Sequence, residues 1–126
     1  MTPVGVWKTI SDKDGQPQSE VRIVDNGGVL SANLVKIYRP TFKGDEVCVE
    51  CKDDRKDKPI IGLELMRGLK KTDGKDVWEG GTIVDPDSGT VYKSKVTPFD
   101  GGAKLEMRGF VGFALLGRTQ TWIRIQ

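Results

Sequence analysis

The chain has 126 residues, of which 30% are charged and 37% hydrophobic, and its 20 basic side chains nearly balance its 18 acidic ones. That length fits one domain, and a net charge of +2 leaves no overall electrostatic footprint for nucleic acid or an anionic membrane. Histidine is absent, which excludes serine–histidine triads, HExxH metal centres and imidazole general bases, while sixteen glycines favour many tight turns over long helices.

Turn-forming residues divide the chain into short runs rich in β-branched and aromatic side chains. Predicted strands occupy residues 4–10, 19–24, 29–38, 59–69, 77–84, 90–98, 104–110 and 117–126. The connections between them carry pairs such as Asp14-Gly15, Asn26-Gly27, Asp73-Gly74 and Asp100-Gly101, which supply the positive φ that hairpin turns require. Several runs alternate with period two. Val21 and Ile23 oppose Glu20 and Arg22; Ile61, Leu63 and Leu65 oppose Gly62 and Glu64; Tyr92, Ser94 and Val96 oppose Lys93 and Lys95. Eight strands joined by short connections should pair antiparallel with their sequence neighbours. They lose their edges by closing into an up-and-down barrel, with a sandwich as the alternative. No run of apolar residues is long enough to span a membrane as a helix.

The long connection, residues 39–58, contains Cys48-Val49-Glu50-Cys51 and the mixed-sign charge run 52–58. Two thiols without histidine do not complete a four-ligand zinc site. The flanking Asp45, Glu46 and Glu50 disfavour a reactive thiolate. The pair reads as a disulfide pinning a long loop, with redox chemistry and free thiols as the alternatives. The charge run reads as a solvated surface.

Residues 85–89, Asp-Pro-Asp-Ser-Gly, lack the glycine and glutamate positions of a calcium loop and read as a hairpin turn. Neither a P-loop nor a G-x-S-x-G elbow is present. The connection within residues 110–117 is unusually apolar: it is either a greasy loop at a barrel mouth or a segment folded into the core.

Gly5-Val6-Trp7 opens the first strand and Trp122-Ile123-Arg124 closes the last. These strands are neighbours in a closed barrel, so Arg124 can lie across the Trp7 indole. The arrangement resembles the lipocalins and the wider calycin group. A broader set of segments is similar to the exported bacterial family called domain of unknown function 2147. They are Gly5-Val6-Trp7, the cysteine pair, residues 57–63, 78–86 and 89–92, Met107-Arg108-Gly109-Phe110 and residues 115–122. The resemblance implies a lipocalin-like barrel and a periplasmic or secreted location, with a signal peptide removed ahead of Met1. It brings no reaction with it. The chain is short for a lipocalin and lacks the helix that follows the last strand there.

An eight-stranded barrel is either filled by side chains or holds one small ligand. The expected inner set is Trp7, Leu63, Leu65, Trp78, Tyr92, Met107 and Ile123, with glycines at 62, 80, 81 and 109 lowering the filling. Arg118, Gln120, Trp122 and Arg124 share one strand face, and Arg108 lies on the preceding strand. Facing inward, such arginines could hold a carboxylate or phosphate; facing outward, they would snorkel over aromatic surface. The leading expectation is a non-enzymatic exported barrel that binds a small hydrophobic or amphipathic ligand, such as a fatty acid or lipid, without metal or cofactor. Its candidate ligand-binding residues are Trp7, Leu63, Leu65, Trp78, Tyr92, Arg108, Arg118, Gln120 and Arg124. A filled barrel that homodimerises or docks on a protein through residues 110–116 is the alternative, and thiol redox chemistry at Cys48 and Cys51 is the third.

Overall fold

The computed structural model describes residues 1–112 and 117–126. Its strands are β1 (Gly5–Ile10), β2 (Pro17–Asn26), β3 (Val29–Ile37), β4 (Glu64–Lys71), β5 (Trp78–Val84), β6 (Val91–Phe99), β7 (Lys104–Phe110) and β8 (Gly117–Arg124). Each pairs antiparallel with the next, and β8 returns to β1, so the sheet is a closed up-and-down barrel in sequence order. The seam is short. Trp7 pairs with Arg124 and Lys8 with Ile123, and the main chain of Val6 extends it through bonds with Gln126 and Ile125.

The alternation seen in the sequence becomes an inside and an outside. Trp7, Val21, Ile23, Leu30, Ala32, Met66, Leu69, Val96, Leu105 and Trp122 are almost wholly buried and make up the core. This packing fills the half of the barrel where β1 begins and β8 ends. The connections 11–16, 38–63 and 85–90 emerge at the opposite end.

Two expectations about individual strands are corrected. β4 begins at Glu64, not at residue 59. Gly62 adopts φ +91°, Leu63 N–H bonds back to Ile60 O, and Gly62 and Leu63 bond singly to Leu34. Residues 59–63 therefore turn onto the edge of β3 instead of running as a strand, and Ile61 is left exposed. On β8 the inward residue is Trp122, so Ile123 points outward and is exposed, because adjacent strand positions cannot share a face.

The long connection is fastened rather than loose. Cys48 and Cys51 form a disulfide, Val47 bridges Pro59, and Cys48 N–H bonds to Lys58 O at 2.8 Å. Within the charge run, Arg55 is not solvated as expected but 3% exposed. Its guanidinium holds both Asp53 carboxylate oxygens and donates to Glu64 O at 3.0 Å, tying the connection to the start of β4. Those bonds keep the Asp53 carboxyl well below the usual carboxylate range.

Candidate functional site

The closed end is built around Arg124. Its guanidinium stacks over Trp7 at 4.3 Å from the ring centroid. It donates from Nε to Gly102 O at 2.6 Å, from Nη1 to Val4 O at 2.9 Å and from Nη2 to Thr2 O at 2.6 Å. Trp7 Nε1 in turn donates to Pro3 O at 2.8 Å. One planar cation thus ties the N-terminal segment and the turn before β7 to the barrel end, where its fork geometry is needed more than its charge.

The open end holds a cavity of about 850 Å³, within the range that holds small-molecule ligands. Leu34, Leu65, Ile83, Met107 and Trp122 give it apolar walls, and Thr9, Ser19, Tyr92, Gln120 and Arg118 add polar groups among them, Tyr92 opposite Ile83 and Gln120 opposite Met107. Gly109 also lines it, and a Cβ there would only graze Ile83 and Tyr92, at 3.7 and 3.8 Å. That absent side chain widens the cavity wall.

Most polar groups in the cavity are already engaged with one another. Thr9 Oγ1 and Ser19 Oγ lie 2.6 Å apart. Trp122 Nε1 donates to Gln120 Oε1 at 2.9 Å, two residues along the same strand face. Arg118 Nε meets Asp12 Oδ2 at 2.9 Å, joining β8 to the β1–β2 turn across the rim. Tyr38, at the lip, donates its hydroxyl to Glu20, and this bond together with burial pushes its pKa up to about 12. Ser94 Oγ points to the inside of β6 and has no hydrogen-bond partner among the described residues.

The predicted ligand residues divide by height and by face. Leu65, Tyr92, Arg118 and Gln120 line the cavity. Trp7 and Arg124 sit together at the closed end, as the expected closure of the barrel, and do not line the cavity. Trp78 packs at that lower end under Lys71, and Leu63 lies in the turn before β4; neither lines the cavity. Arg108 faces outward, because its neighbour Met107 is the inward residue, and donates to Thr119 Oγ1 at 2.7 Å. Residues missed from the sequence include Thr9, Ser19 and Leu34. They were legible in principle as inward positions of β1, β2 and β3, but small hydroxyls carry little pattern of their own. Of the apolar 110–116 loop, residues 113–116 lie outside the described residues; Val111 is exposed.

Among the described residues no cluster of three metal-ligating side chains occurs, and no helix is long and apolar enough to cross a membrane. Among curated proteins, no relative matches the chain. Among solved structures, the chain is similar to protein HP1028 from the human pathogen Helicobacter pylori, described as belonging to the lipocalin family. The TM-score is 0.83 at 19% sequence identity, covering 100% of this chain and 85% of that one. At that identity the likeness speaks for the barrel and its closure. A family model described as an uncharacterized protein conserved in bacteria, domain of unknown function 2147, matches residues 5–124. With nearly its whole length inside that match, the chain belongs to the domain of unknown function 2147 family, and its fold is a lipocalin-like barrel.

Proposed function

We propose that the protein is an exported, non-enzymatic carrier that holds one small hydrophobic or amphipathic molecule, such as a fatty acid or lipid, in the open-end cavity. The single observation that carries this reading is the cavity itself, about 850 Å³ and lined by apolar side chains with polar groups among them. That mixed lining suits a molecule with a hydrocarbon body and one polar end. Burying such a body contributes about 25 cal/mol per Å² of apolar surface.

Arg118 and Gln120 line the cavity, and in this reading they meet the polar end. Arg118 meets Asp12 through Nε, so an incoming carboxylate or phosphate competes with Asp12 for the guanidinium. The non-enzymatic part rests on the pairing of Thr9 with Ser19 and of Gln120 with Trp122, which leaves those groups positioned for packing and recognition. The disulfide supports export, since such bonds persist in oxidising compartments.

Native mass spectrometry of the protein recovered from its own compartment, followed by organic extraction, tests the proposal. A reproducible added mass that reappears in the extract as one lipid class is the expected result. Protein that comes off bare, and that takes up no fatty acid or lysolipid on titration, overturns it.

A further inference from the structure

The outer wall of the barrel carries a second feature that the cavity does not explain. On β6 and β7 the buried Ser94, Val96 and Met107 face in, so Lys93, Lys95, Arg108 and Phe110 face out. Lys95 lies directly opposite Arg108, and Lys93 opposite Phe110. Like charges opposed across two strands cost stability, and neither Lys93 nor Lys95 has an ion-pair partner among the described residues. At the rim just above, Val91 is 45% exposed and Val111 60%. Cations below an exposed apolar edge form an amphipathic strip.

We propose that this face of β6 and β7 docks on an anionic lipid bilayer, with Val91, Phe110 and Val111 entering the interface and Lys93, Lys95 and Arg108 meeting the headgroups. The charge complementarity is local. The net charge of +2 conceals it, because Asp12, Asp14, Glu46 and Glu50 sit on the β1–β2 and β3–β4 connections of the mouth, while Asp85 and Asp87 lie on the β5–β6 hairpin that leads into Val91. The acidic β1–β2 and β3–β4 connections turn away from an anionic surface, so the barrel lies against the bilayer on its side. Glu106 shares the outer face but lies further from the rim, opposite Thr97. Each cation near such a surface strengthens binding about fivefold, equivalent to ~1 kcal/mol, and inserted apolar side chains add to it. The inference does not depend on what the cavity holds.

Sedimentation of the intact, disulfide-bonded chain with vesicles tests it, comparing phosphatidylcholine alone with phosphatidylcholine containing phosphatidylglycerol. The chain should bind the mixed vesicles alone, and less as salt is raised. The double change K93E/K95E should weaken binding by roughly 25-fold or more, as the loss of two cations at about fivefold each requires. The carboxylate that K95E introduces stands opposite Arg108 as a favourable pair, so that variant keeps its fold, and K93Q/K95Q provides a milder second variant. Val111→Asp should weaken binding several-fold, whereas Lys52→Glu, on the disulfide-bearing connection, should leave it unchanged. Equal binding to both vesicle types, no effect of either double variant, or an equal loss with Lys52→Glu overturns the proposal.

Discussion

The Arg124 guanidinium covers the Trp7 ring at 4.3 Å while donating its N–H groups to three main-chain carbonyls. Stacking of this kind contributes about 0.5–2 kcal/mol, and hydrogen bonds from a charged donor about 1.5–3 kcal/mol each when partly buried. These terms overlap. Arg124→Ala should lower stability by about 2–4 kcal/mol in urea unfolding, and Arg124→Lys should recover only part, since an ammonium lacks the planar fork. Ligand retention in the surviving folded fraction should not change. A variant as stable as the parent would remove Arg124 from the closure.

Arg118 presents the opposite case. It is 65% exposed and, among the described residues, its ion pair is with Asp12 at the rim, so Arg118→Ala should change stability by no more than about 0.5 kcal/mol. Its effect should fall on binding. Affinity for a fatty acid, followed by displacement of a fluorescent probe, should drop about tenfold, and affinity for the corresponding alcohol should hold. An equal loss for acid and alcohol would assign Arg118 to shaping the mouth.

Asp53 links the stability of the long connection to pH. Its carboxyl lies below the usual range because Arg55 bonds to it through side chain and main chain. A carboxylate whose folded pKa is depressed lends stability above its unfolded value of about 3.9, and that stability is lost as pH falls through the lower folded value. Asp53→Asn should therefore cost about 1–3 kcal/mol near neutrality, discounted for the half-exposed carboxylate. That cost should shrink progressively as pH falls below the unfolded value of about 3.9, and vanish only once the pH has passed the lower folded value. Denaturant midpoints across this pH range check it; parallel curves for the two proteins would contradict the pairing.

Gly89 closes the hairpin between β5 and β6 at φ +75°, and a Cβ there would lie 1.9 Å from Glu50 O. Gly89→Ala must strain the backbone and push the disulfide-bearing connection outward. The expected cost is roughly 2–4 kcal/mol, with faster amide exchange at Cys48 and Ile60, whose N–H groups bond within that connection. Unchanged exchange at those amides would show that the two connections move independently.

The barrel was legible because each strand announces one buried face by alternation, and because turn residues mark the hairpins. The face of β8 was not legible. Arg118, Gln120, Trp122 and Arg124 alternate with Thr119, Thr121 and Ile123, and an aromatic on one side and an isoleucine on the other pull the assignment both ways. Pairing with Leu105 settles it, since Leu105 and Trp122 stand opposite and both are buried. Height along the barrel is equally hidden from pattern. Period two separates inside from outside but gives no sign that Trp7 plugs one end while Tyr92 lines the other. The burial of Arg55 escaped because a charge run reads as solvated until an acceptor such as Glu64 O is brought to it by the fold.

With Arg124 and Arg118 at opposite poles, the carrier proposal makes folding and recognition separable properties of one small chain. Changes at residues 12, 118 and 120 leave the Trp7 stack untouched, and sites that share no partner add nearly independently. Under that proposal, a lineage could exchange one cargo for another by editing the rim while the plug at the far pole keeps the protein folded through each substitution.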